Sequence, residues 1–373
     1  MSMPSIYQIA FALIKGITSD SADALLSVFE TEENFFKASD AEIVAQTELA
    51  PKIASAAYRA GLLESAKRIA DEVFDKNVKL IYYKSPDYPV RFRNVPDAPL
   101  LLYMAGDVDL NVGKIISMVG TRHATPYGCD ICKTFVEGIK AKVGSDVVIV
   151  SGLAYGIDIA SHRVALNCGL PTVAVVAHGL DMIYPAQHRN DASNIVHSRG
   201  AIVSEYPFAT RIHRSNFLAR NRIIAALADA TIVVESASKG GALVTANIAL
   251  NYGRDVFAFP GRVNDEFSLG CNALIRKNVA ALITSVDDFV DTLGWEKKNI
   301  KPVQQELFPV LDSTEQKIYD LLEIKNTANV NELVMAVGMP FHKLLSILVD
   351  MEFKGILRTM PGNQYAINKK ITL

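Results

Sequence analysis

Short apolar runs alternate with longer amphipathic stretches between Lys114 and Leu293. Several of these runs are nearly continuous in Val, Ile and Ala, which is typical of strands covered on both faces. The predicted strands are IISMV (115–119), VVIV (147–150), TVAVVA (172–177), AIVS (201–204), TIVV (231–234), VFAF (256–259) and ALIT (281–284). The predicted helices between them are Gly128–Lys142, Ile157–Cys168, Asn190–Ser198, Phe217–Leu227 and Ala242–Asn251. This alternation predicts an α/β fold built on a doubly wound parallel sheet.

The first segment, residues 1–75, predicts only short helices, with Ser or Asp at plausible helix starts. They cover Ile6–Lys15, Ser21–Phe29, Asp40–Gln46 and Lys52–Phe74. Residues 13–26 loosely resemble a helix-hairpin-helix DNA-binding module, although Thr18 or Ser19 stands where such a hairpin usually has a second glycine. Residues 1–110 carry 16 acidic and 11 basic side chains. We therefore expect this small SAM- or helix-hairpin-helix-like domain to serve packing or protein contact.

The remaining pattern divides the chain into a middle domain (76–297), a linker (298–311) and a last segment (312–373). Two strand-like runs, KLIYY and LLLYM, open the middle domain on either side of a proline-rich stretch, so they fit edge or turn positions. The last segment predicts helices at 313–323, 329–337 and 341–353 and then a two-stranded hairpin. Three helices and a hairpin are typical of a winged-helix module. Because its third helix exposes few positive charges beyond His342 and Lys343, duplex DNA reading and protein contact both stay open.

Composition narrows the class of protein. No run reaches the roughly 18–20 apolar residues of a membrane span, and the N-terminus lacks the basic start of a signal peptide. Among the four cysteines, Cys129 and Cys132 form a C-x-x-C, but no second pair or histidine pair completes a zinc site. We therefore expect a cytoplasmic protein with reduced thiols and no bound metal.

Candidate chemistry lies where the predicted strands end. The segments that follow successive strands are VGTR (119–122), SGLAYGID (151–158), AHGLDMIYP (177–185), SEYPF (204–208), ESASKGGALVTA (235–246) and PG (260–261). Because parallel strands end at one edge of a sheet, these segments should meet in one crevice. Their Gly, Ser and Thr residues, together with Arg122, Lys239 and the starts of the following helices, are suited to bind phosphate.

Missing motifs limit the nature of that phosphate ligand. The chain has no G-x-x-x-x-G-K-[ST] sequence, and Gly152 and Gly156 are spaced G-x-x-x-G instead of following the dinucleotide pattern G-x-G-x-x-G. Tight binding of a nucleoside triphosphate or NAD is therefore disfavoured, and no cofactor is predicted.

An arginine-rich stretch points to a polymeric ligand. Residues 189–222 carry six arginines against only Asp191 and Glu205. The interleaved aromatic residues are Tyr206, Phe208 and Phe217. Cations mixed with aromatic rings are typical of single-stranded DNA binding, in which phosphates contact Arg or Lys and bases stack on the rings.

No catalytic residue is predicted. The sequence has neither a G-x-S-x-G nor an H-E-x-x-H motif. Asp158 and His162 lie four residues apart on one predicted helix face. A helix-start carboxylate beside a hydrogen-bonded histidine is the commoner arrangement for such a pair than a ligand site.

The segments resemble those of the DNA-processing protein A family (DprA, also called Smf). The resemblance covers about residues 81–294 and is carried in order by SPDYPVRFRNVPDAPLLLYMAG, VGTRHATPYG, VSGLAYGIDIASHRVAL, TVAVVAHGLDMIYPAQHRN, SEYPF, FLARNRIIAAL, VVESASKGGALVTANIAL, GRDVFAFPG and GCNALI. So many ordered blocks are a far more specific signal than a single glycine motif. The helical front and the winged-helix tail match the family's usual terminal domains more loosely.

The resemblance implies an extended Rossmann-like fold, homodimerisation through that domain and sequence-independent binding of single-stranded DNA. It also implies delivery of the RecA recombinase to incoming DNA in natural transformation. Carried over by position, it places phosphates at Arg122 and Lys239, and it implies that the same groove is shaped by Phe217, Arg220, Asn221 and Arg222. The sequence departs from many relatives at Lys239-Gly240-Gly241, where they have Ser-Gly-Ser, which keeps donors but loses hydroxyls. The complete predicted DNA site is Gly120, Thr121, Arg122, Gly152, Gly156, Phe217, Arg220, Asn221, Arg222, Lys239, Gly240, Gly241 and Thr245.

A nucleotide-processing enzyme, such as a phosphoribohydrolase, is the alternative, because related Rossmann-like folds bind nucleoside monophosphates at this sheet edge. Such an enzyme needs a positioned acid or base, for which Glu235, Glu205 and Asp158 are the candidates. Fold analogy alone supports this alternative, so non-enzymatic DNA binding is the favoured prediction.

Overall fold

A computed structural model describes residues 3–297, 311–354, 356–360 and 364–367. The chain divides into two compact units, Met1–Lys298 and Asn299–Leu373. Apart from Leu311, the predicted linker lies outside the described residues.

Helices and strands alternate through most of the first unit. Its helices are α1 (Ile6–Ala12), α2 (Ser19–Phe29), α3 (Glu32–Lys37), α4 (Asp40–Gln46), α5 (Pro51–Ala54), α6 (Ala56–Asp75), α7 (Pro126–Lys142), α8 (Ile157–Asn167), α9 (Arg189–His197), α10 (Arg214–Leu227), α11 (Gly241–Asn251), α12 (Leu269–Arg276) and α13 (Val286–Thr292). Its strands are β1 (Lys79–Tyr82), β2 (Leu101–Gly106), β3 (Lys114–Val119), β4 (Val147–Ser151), β5 (Thr172–Val175), β6 (Ala201–Ser204), β7 (Ala230–Val233), β8 (Asp255–Ala258) and β9 (Ala281–Leu282).

The strands form one sheet in the order β1-β2-β6-β5-β4-β3-β7-β8-β9. Strands β3 to β9 pair in parallel, whereas β2 pairs antiparallel with both β1 and β6. The chain fills one side of β3 with β4, β5 and β6 and then returns to the other side with β7. The strand order therefore reverses beside β3, and such a switch point in an open parallel sheet leaves a crevice at the carboxyl ends. The predicted doubly wound α/β fold is confirmed.

Helices cover both faces of the sheet, which accounts for the continuous apolar strands. Along β3, Ile115 and Val119 face the core formed with α10 and α11, whereas Ile116 and Met118 face the core formed with α7, α8 and α13. Successive side chains of a strand point to opposite faces, so a strand covered on both faces needs apolar residues at nearly every position.

The N-terminal helices pack against the antiparallel end of the sheet. Tyr82 of β1 and Leu101 and Tyr103 of β2 share a core with α1 to α6. The structure adds α3, which the sequence analysis did not predict, and it divides the predicted helix 52–74 at Ser55. The Ser55 side chain accepts a hydrogen bond from the backbone N–H of Tyr58 and so caps α6. The boundary at residue 75 stays a prediction.

The second unit contains α14 (Ser313–Lys325), β10 (Ala328–Asn329), α15 (Val330–Val337), α16 (Phe341–Phe353), β11 (Leu357–Met360) and β12 (Gln364–Ile367). Its strands pair antiparallel in the order β10-β12-β11, so a short strand joins the predicted hairpin. The winged-helix assignment of this unit stays a prediction. Within the described residues no single helix is long and apolar enough to cross a membrane, and the pair α15–α16, bent by 108°, meets that test only by length and composition.

Candidate nucleic-acid interface

A cleft of about 740 Å³ opens beyond the carboxyl ends of β3, β4 and β7, at the point where the strand order reverses. Residues 214–224 of α10 and the start of α11 form its walls. The predicted site residues that line it are Gly120, Thr121, Arg122, Phe217, Arg220, Asn221, Lys239, Gly240, Gly241 and Thr245. The segments SEYPF and PG, which were expected to converge on the same crevice, do not line this cleft.

The loop after β3 holds Arg122 at the cleft. The backbone N–H of Thr121 donates to the carbonyl of Glu235 (2.8 Å), and the Thr121 carbonyl accepts from the N–H of Ile157 (3.1 Å). A Cβ on Gly120 would stand 2.7 Å from the Cβ of Ile157, so this close approach requires glycine. Two neighbouring elements thus fix the loop backbone, while the Arg122 side chain remains exposed.

Gly152 and Gly156 do not line the cleft, although both were predicted to bind DNA. Gly156 has a φ of +75°, and a Cβ on it would stand 2.7 Å from the main-chain carbonyl carbon of Arg122. A Cβ on Gly152 would stand 2.6 Å from a carboxylate oxygen of Asp158 and 2.7 Å from the guanidinium carbon of Arg220. Both glycines therefore allow close packing among the groups that border the cleft.

Arg220 lines the cleft but is only 4% exposed. Its Nη1 donates hydrogen bonds to the carbonyls of Gly152 (2.7 Å) and Val175. Burial lowers the pKa of Arg220 to about 10, although the negative charge of Asp158 acts in the opposite direction and raises it. Burial also raises the pKa of Asp158, which the charge of Arg220 opposes. Arg220 therefore joins the ends of β4 and β5 to α10, and its guanidinium is already engaged within the protein.

Phe217 lies one turn before Arg220 on α10 and offers an aromatic surface to the cleft. Its ring is half-buried, with its centroid 5.7 Å from that of Tyr184 and a tilt of 60°. The guanidinium carbon of Arg122 lies 5.7 Å from the centroid of the same ring, a cation–π distance. A ring held between an aromatic neighbour and a cation is suited to stack on a base.

Arg222 points away from this cleft. Its guanidinium pairs with Glu205 and lies 3.8 Å from a carboxylate oxygen of Asp97. It lines a different pocket, beside the end of α1. The placement of Arg222 in the DNA groove, which the resemblance implied, therefore finds no support in the geometry.

The start of α11 supplies unused donors to the cleft. Gly240 is the N-cap residue and no side chain caps the helix. The first backbone N–H groups of an α-helix have no partner inside the helix, and they carry the positive end of its dipole. Lys239 is exposed directly before them, whereas Thr245 is buried and donates its hydroxyl to the Gly241 carbonyl (3.2 Å). This arrangement can bind an oxyanion.

The electrostatic balance of the cleft favours an anion. Arg122, Lys239 and Arg214 are exposed there, against the exposed carboxylate of Glu266. Among the described residues neither Arg122 nor Lys239 has an ion-pair partner.

Among the lining residues that the predicted site lacked are Asp158, His123, Tyr184, Arg214, Glu266 and Phe267. The rings of His123 and Phe267 lie 6.2 Å apart at 30°. Tyr184 belongs to the segment after β5, and its position beyond a strand end could have predicted that it lines the cleft. Phe267 comes from the loop after β8, but it lies beyond the predicted PG segment (260–261), and no motif marks its position.

Two predicted aromatic residues lie elsewhere. Phe208 packs against Tyr103 of β2, and the ammonium of Lys76 lies 4.9 Å from its centroid. Tyr206 does not line the cleft either. Since β6 lies beside the antiparallel β2, the segment after β6 packs toward the N-terminal helices rather than toward β3.

The carboxylates considered for catalysis are engaged in the fold. Glu235 is buried and accepts hydrogen bonds from the hydroxyl (2.5 Å) and N–H (2.9 Å) of Thr125. Glu205 pairs with Arg222, and Asp158 is buried against Gly152.

The histidine paired with Asp158 in the sequence is also structural. His162 is buried and hydrogen-bonds through Nδ1 to the hydroxyl of Thr172 (2.7 Å). Burial lowers its pKa to about 3, so it is neutral at physiological pH. No cluster of three or more metal-binding side chains occurs among the residues that the structure describes.

Residues 79–294 match the family model of DNA recombination-mediator protein A. The putative DNA processing protein DprA of Mycobacterium tuberculosis is 36% identical over 276 residues, which span 73% of this chain and 70% of that protein.

Two solved structures agree with this family match. DNA processing protein A (DprA) from Streptococcus pneumoniae aligns with a TM-score of 0.60 and 32% identity, covering 78% of this chain and 98% of that one. DNA processing protein A from Helicobacter pylori, whose structure describes a single-stranded DNA binding mode, aligns with a TM-score of 0.52 and 31% identity over 58% of this chain and 95% of that one.

Proposed function

The chain belongs to the DNA recombination-mediator protein A family, and from this membership and the cleft we propose that it binds single-stranded DNA without sequence preference. One observation carries the proposal: Arg122, the Phe217 ring and the uncapped start of α11 with Lys239 face one cleft at the switch point of the sheet. The cations and helix N–H groups contact phosphates, and the ring stacks on bases.

The absence of sequence preference follows from the type of donor. Backbone N–H groups, a lysine and an arginine contact phosphates, which are the same at every nucleotide. Stacking tolerates every base because each has an aromatic face. A single strand suits the cleft better than a duplex, because only unpaired bases can stack on Phe217 and Tyr184.

Fluorescence anisotropy with labelled single-stranded and double-stranded oligonucleotides of matched sequence tests this function. We expect tighter binding of the single strand, similar affinity for unrelated sequences, and weakening as salt rises. Equal affinity for single strand and duplex would contradict the proposal.

We further infer that the protein loads RecA recombinase onto the bound strand and acts as a homodimer in the cytoplasm. Cys129, Cys132, Cys168 and Cys271 are all free, which fits a reducing compartment. The rate of ATP hydrolysis by RecA on DNA pre-coated with single-strand-binding protein tests loading, because loaded recombinase hydrolyses ATP on that DNA. Analytical ultracentrifugation tests the dimer.

We propose a binding role rather than an enzymatic one. Glu235 and Glu205 lie outside the cleft and already accept hydrogen bonds or an ion pair within the fold. Asp158 lines the cleft, but it is buried and accepts a hydrogen bond from the backbone N–H of Ala154 (3.3 Å). Incubation with nucleoside monophosphates should release no free base above that of a protein-free control, and steady release would overturn this part of the proposal.

A further inference from the structure

A second pocket of about 540 Å³ adjoins the cleft, and Arg122 and His123 line both. Its other described lining residues are Ala124, Cys129, Tyr155, Gly156, Ile159, Ala160 and Arg163. We call it the Tyr155 pocket. It lies between the first turns of α7 and α8, which cover the opposite face of the sheet from α10 and α11. The two pockets therefore meet at Arg122, on the carboxyl edge of the sheet.

Tyr155 is a preorganised aromatic surface in this pocket. It is 41% exposed. Its ring stands edge-on to that of His188, with centroids 5.0 Å apart and an angle of 70°, and its hydroxyl donates to the Gln187 side chain (2.8 Å). His188 is itself buried and bonded through Nδ1 to the Leu153 carbonyl (2.8 Å). The ring thus loses little rotational freedom when a ligand stacks on it.

The chemistry of the pocket suits a nucleotide. Ile159 and Ala160 form an apolar floor, and the described lining residues include no carboxylate. Arg163 pairs through Nε and Nη2 with both carboxylate oxygens of Asp191 (2.8 and 2.9 Å). Its Nη1 makes no hydrogen bond within the part of the chain that the structure describes, and 56% of the side chain is exposed. An aromatic face with adjacent guanidinium groups is the combination that binds single-stranded nucleic acid.

We propose that the Tyr155 pocket is a second base-stacking subsite, so that one DNA strand crosses the carboxyl edge of the sheet from Phe217 to Tyr155 with a phosphate at Arg122. This inference rests on the proposed function of the cleft. Gly156 supports it, because the glycine lets the chain next to Tyr155 approach the backbone of Arg122 closely, and Tyr155 and Arg122 line the same pocket. A strand long enough to span both pockets can then place one base in each, with Arg122, which lines both, between them.

The length dependence of binding tests the subsite. Anisotropy titrations would use oligo(dT) from about 4 to about 16 nucleotides, the usual range of single-strand site sizes. For Tyr155→Ala we expect nearly unchanged affinity for the shortest oligonucleotides and a roughly 5- to 150-fold loss for the longest, the range that one stacked base contributes. Tyr155→Phe keeps the ring and should restore the long-oligonucleotide affinity.

Tyr127→Ala is the matched control, since Tyr127 is also an exposed tyrosine (47%) but lines neither pocket. An equal loss at all lengths, or no loss at any length, would overturn the second subsite while leaving the cleft in place. Failure of the unaltered protein to bind any oligonucleotide would instead overturn the proposed function.

Photo-crosslinking keeps the inference testable should Tyr155→Ala unfold. The unaltered protein would be irradiated with an oligonucleotide that carries 5-iodouracil, and the crosslinked peptides identified by mass spectrometry. Because Ala154 and Asp158 beside Tyr155 line the cleft, the crosslinked residue itself must be located in the fragment spectra. We expect crosslinks at Tyr155 as well as at Phe217. Crosslinks confined to cleft residues would contradict the second subsite.

Discussion

Gly156 lies so close to Arg122 that a Cβ on the glycine would stand 2.7 Å from the main-chain carbonyl carbon of the arginine. Its φ of +75° adds backbone strain for any other residue. We therefore expect Gly156→Ala to displace the loop that carries Arg122. The free energy of unfolding should fall by at least about 2 kcal/mol, and single-stranded DNA binding should weaken in the fraction that remains folded. Denaturant titration and anisotropy measure the two effects.

Gly169 provides the control for backbone strain. It also has a positive φ, of +65°, but a Cβ on it would meet nothing within 4 Å. Gly169→Ala should lower the free energy of unfolding by only about 1 kcal/mol and leave DNA binding intact. Equal effects of the two substitutions would show that the contact with Arg122 is unimportant.

Arg220 stabilises the fold, and its removal should lower the free energy of unfolding by an amount that depends on pH. Arg220→Met leaves the carbonyls of Gly152 and Val175 without their donor, which costs roughly 1–3 kcal/mol for each unsatisfied group. It also removes the positive neighbour of Asp158. The variant should unfold at lower denaturant concentration than the unaltered protein.

The sign of the pH dependence follows from Asp158. Burial already raises its pKa, and loss of Arg220 removes a charge that lowers it. The folded variant should therefore hold a proton on Asp158 to higher pH than the unfolded chain does, so its stability falls as pH rises. The difference in free energy of unfolding between Arg220→Met and the unaltered protein should therefore be smaller near pH 5 than near pH 7. Two results would exclude this coupling. Either Arg220→Met lowers the free energy of unfolding equally at all pH values, or its pH-dependent effect persists unchanged when Asp158→Asn is also present.

Arg222 was predicted from the sequence to lie in the DNA groove, whereas in the structure it does not line the cleft, and a substitution can test which placement is right. Arg222→Gln removes a partner of Glu205 and Asp97 but no group of the cleft. We expect stability to fall by about 1 kcal/mol and the affinity for single-stranded DNA to change by less than about twofold, well below the effect of losing a phosphate contact. A loss as large as that for Arg122 would return Arg222 to the DNA groove.

The salt dependence of binding counts phosphate contacts. For a single strand, the logarithm of the binding constant falls with the logarithm of the salt concentration by about 0.7 per phosphate neutralised. Lys239→Gln should therefore reduce the slope by about 0.7. An unchanged slope would mean that the exposed Lys239 ammonium does not contact a phosphate.

Much of the fold could be predicted because the buried strands leave a strong local pattern. Strand β6 and helix α4 match their predicted bounds, and β4 extends its prediction only by Ser151. Helices α12 and α13 were not predicted, because at eight and seven residues they are too short to show a helical repeat of apolar positions. The predicted strand at 172–177 ends at Val175, because the following buried residues leave the ladder with β6.

The site was harder to predict than the fold, because side-chain direction depends on tertiary packing. Arg122 and Arg220 are both arginines next to family motifs, yet one is exposed and the other is 4% exposed. A signal for Arg220 did exist: it shares a helix face with Ile223 and Ile224, which are buried at spacings of three and four residues. For Phe208 no local signal existed, because its position depends on where β6 lies in the sheet.

Charge reversal at the cleft tests the central claim most directly. Anisotropy with a labelled oligo(dT) would compare Arg122→Glu and Lys239→Glu with Lys133→Glu, which makes the same change at an exposed position of α7 outside the cleft. Loss of a charge-assisted contact should weaken binding by more than about tenfold in each cleft variant, whereas Lys133→Glu should bind nearly as the unaltered protein does. Cleft variants that fold normally and bind as tightly as Lys133→Glu would contradict the assignment of single-stranded DNA to this cleft.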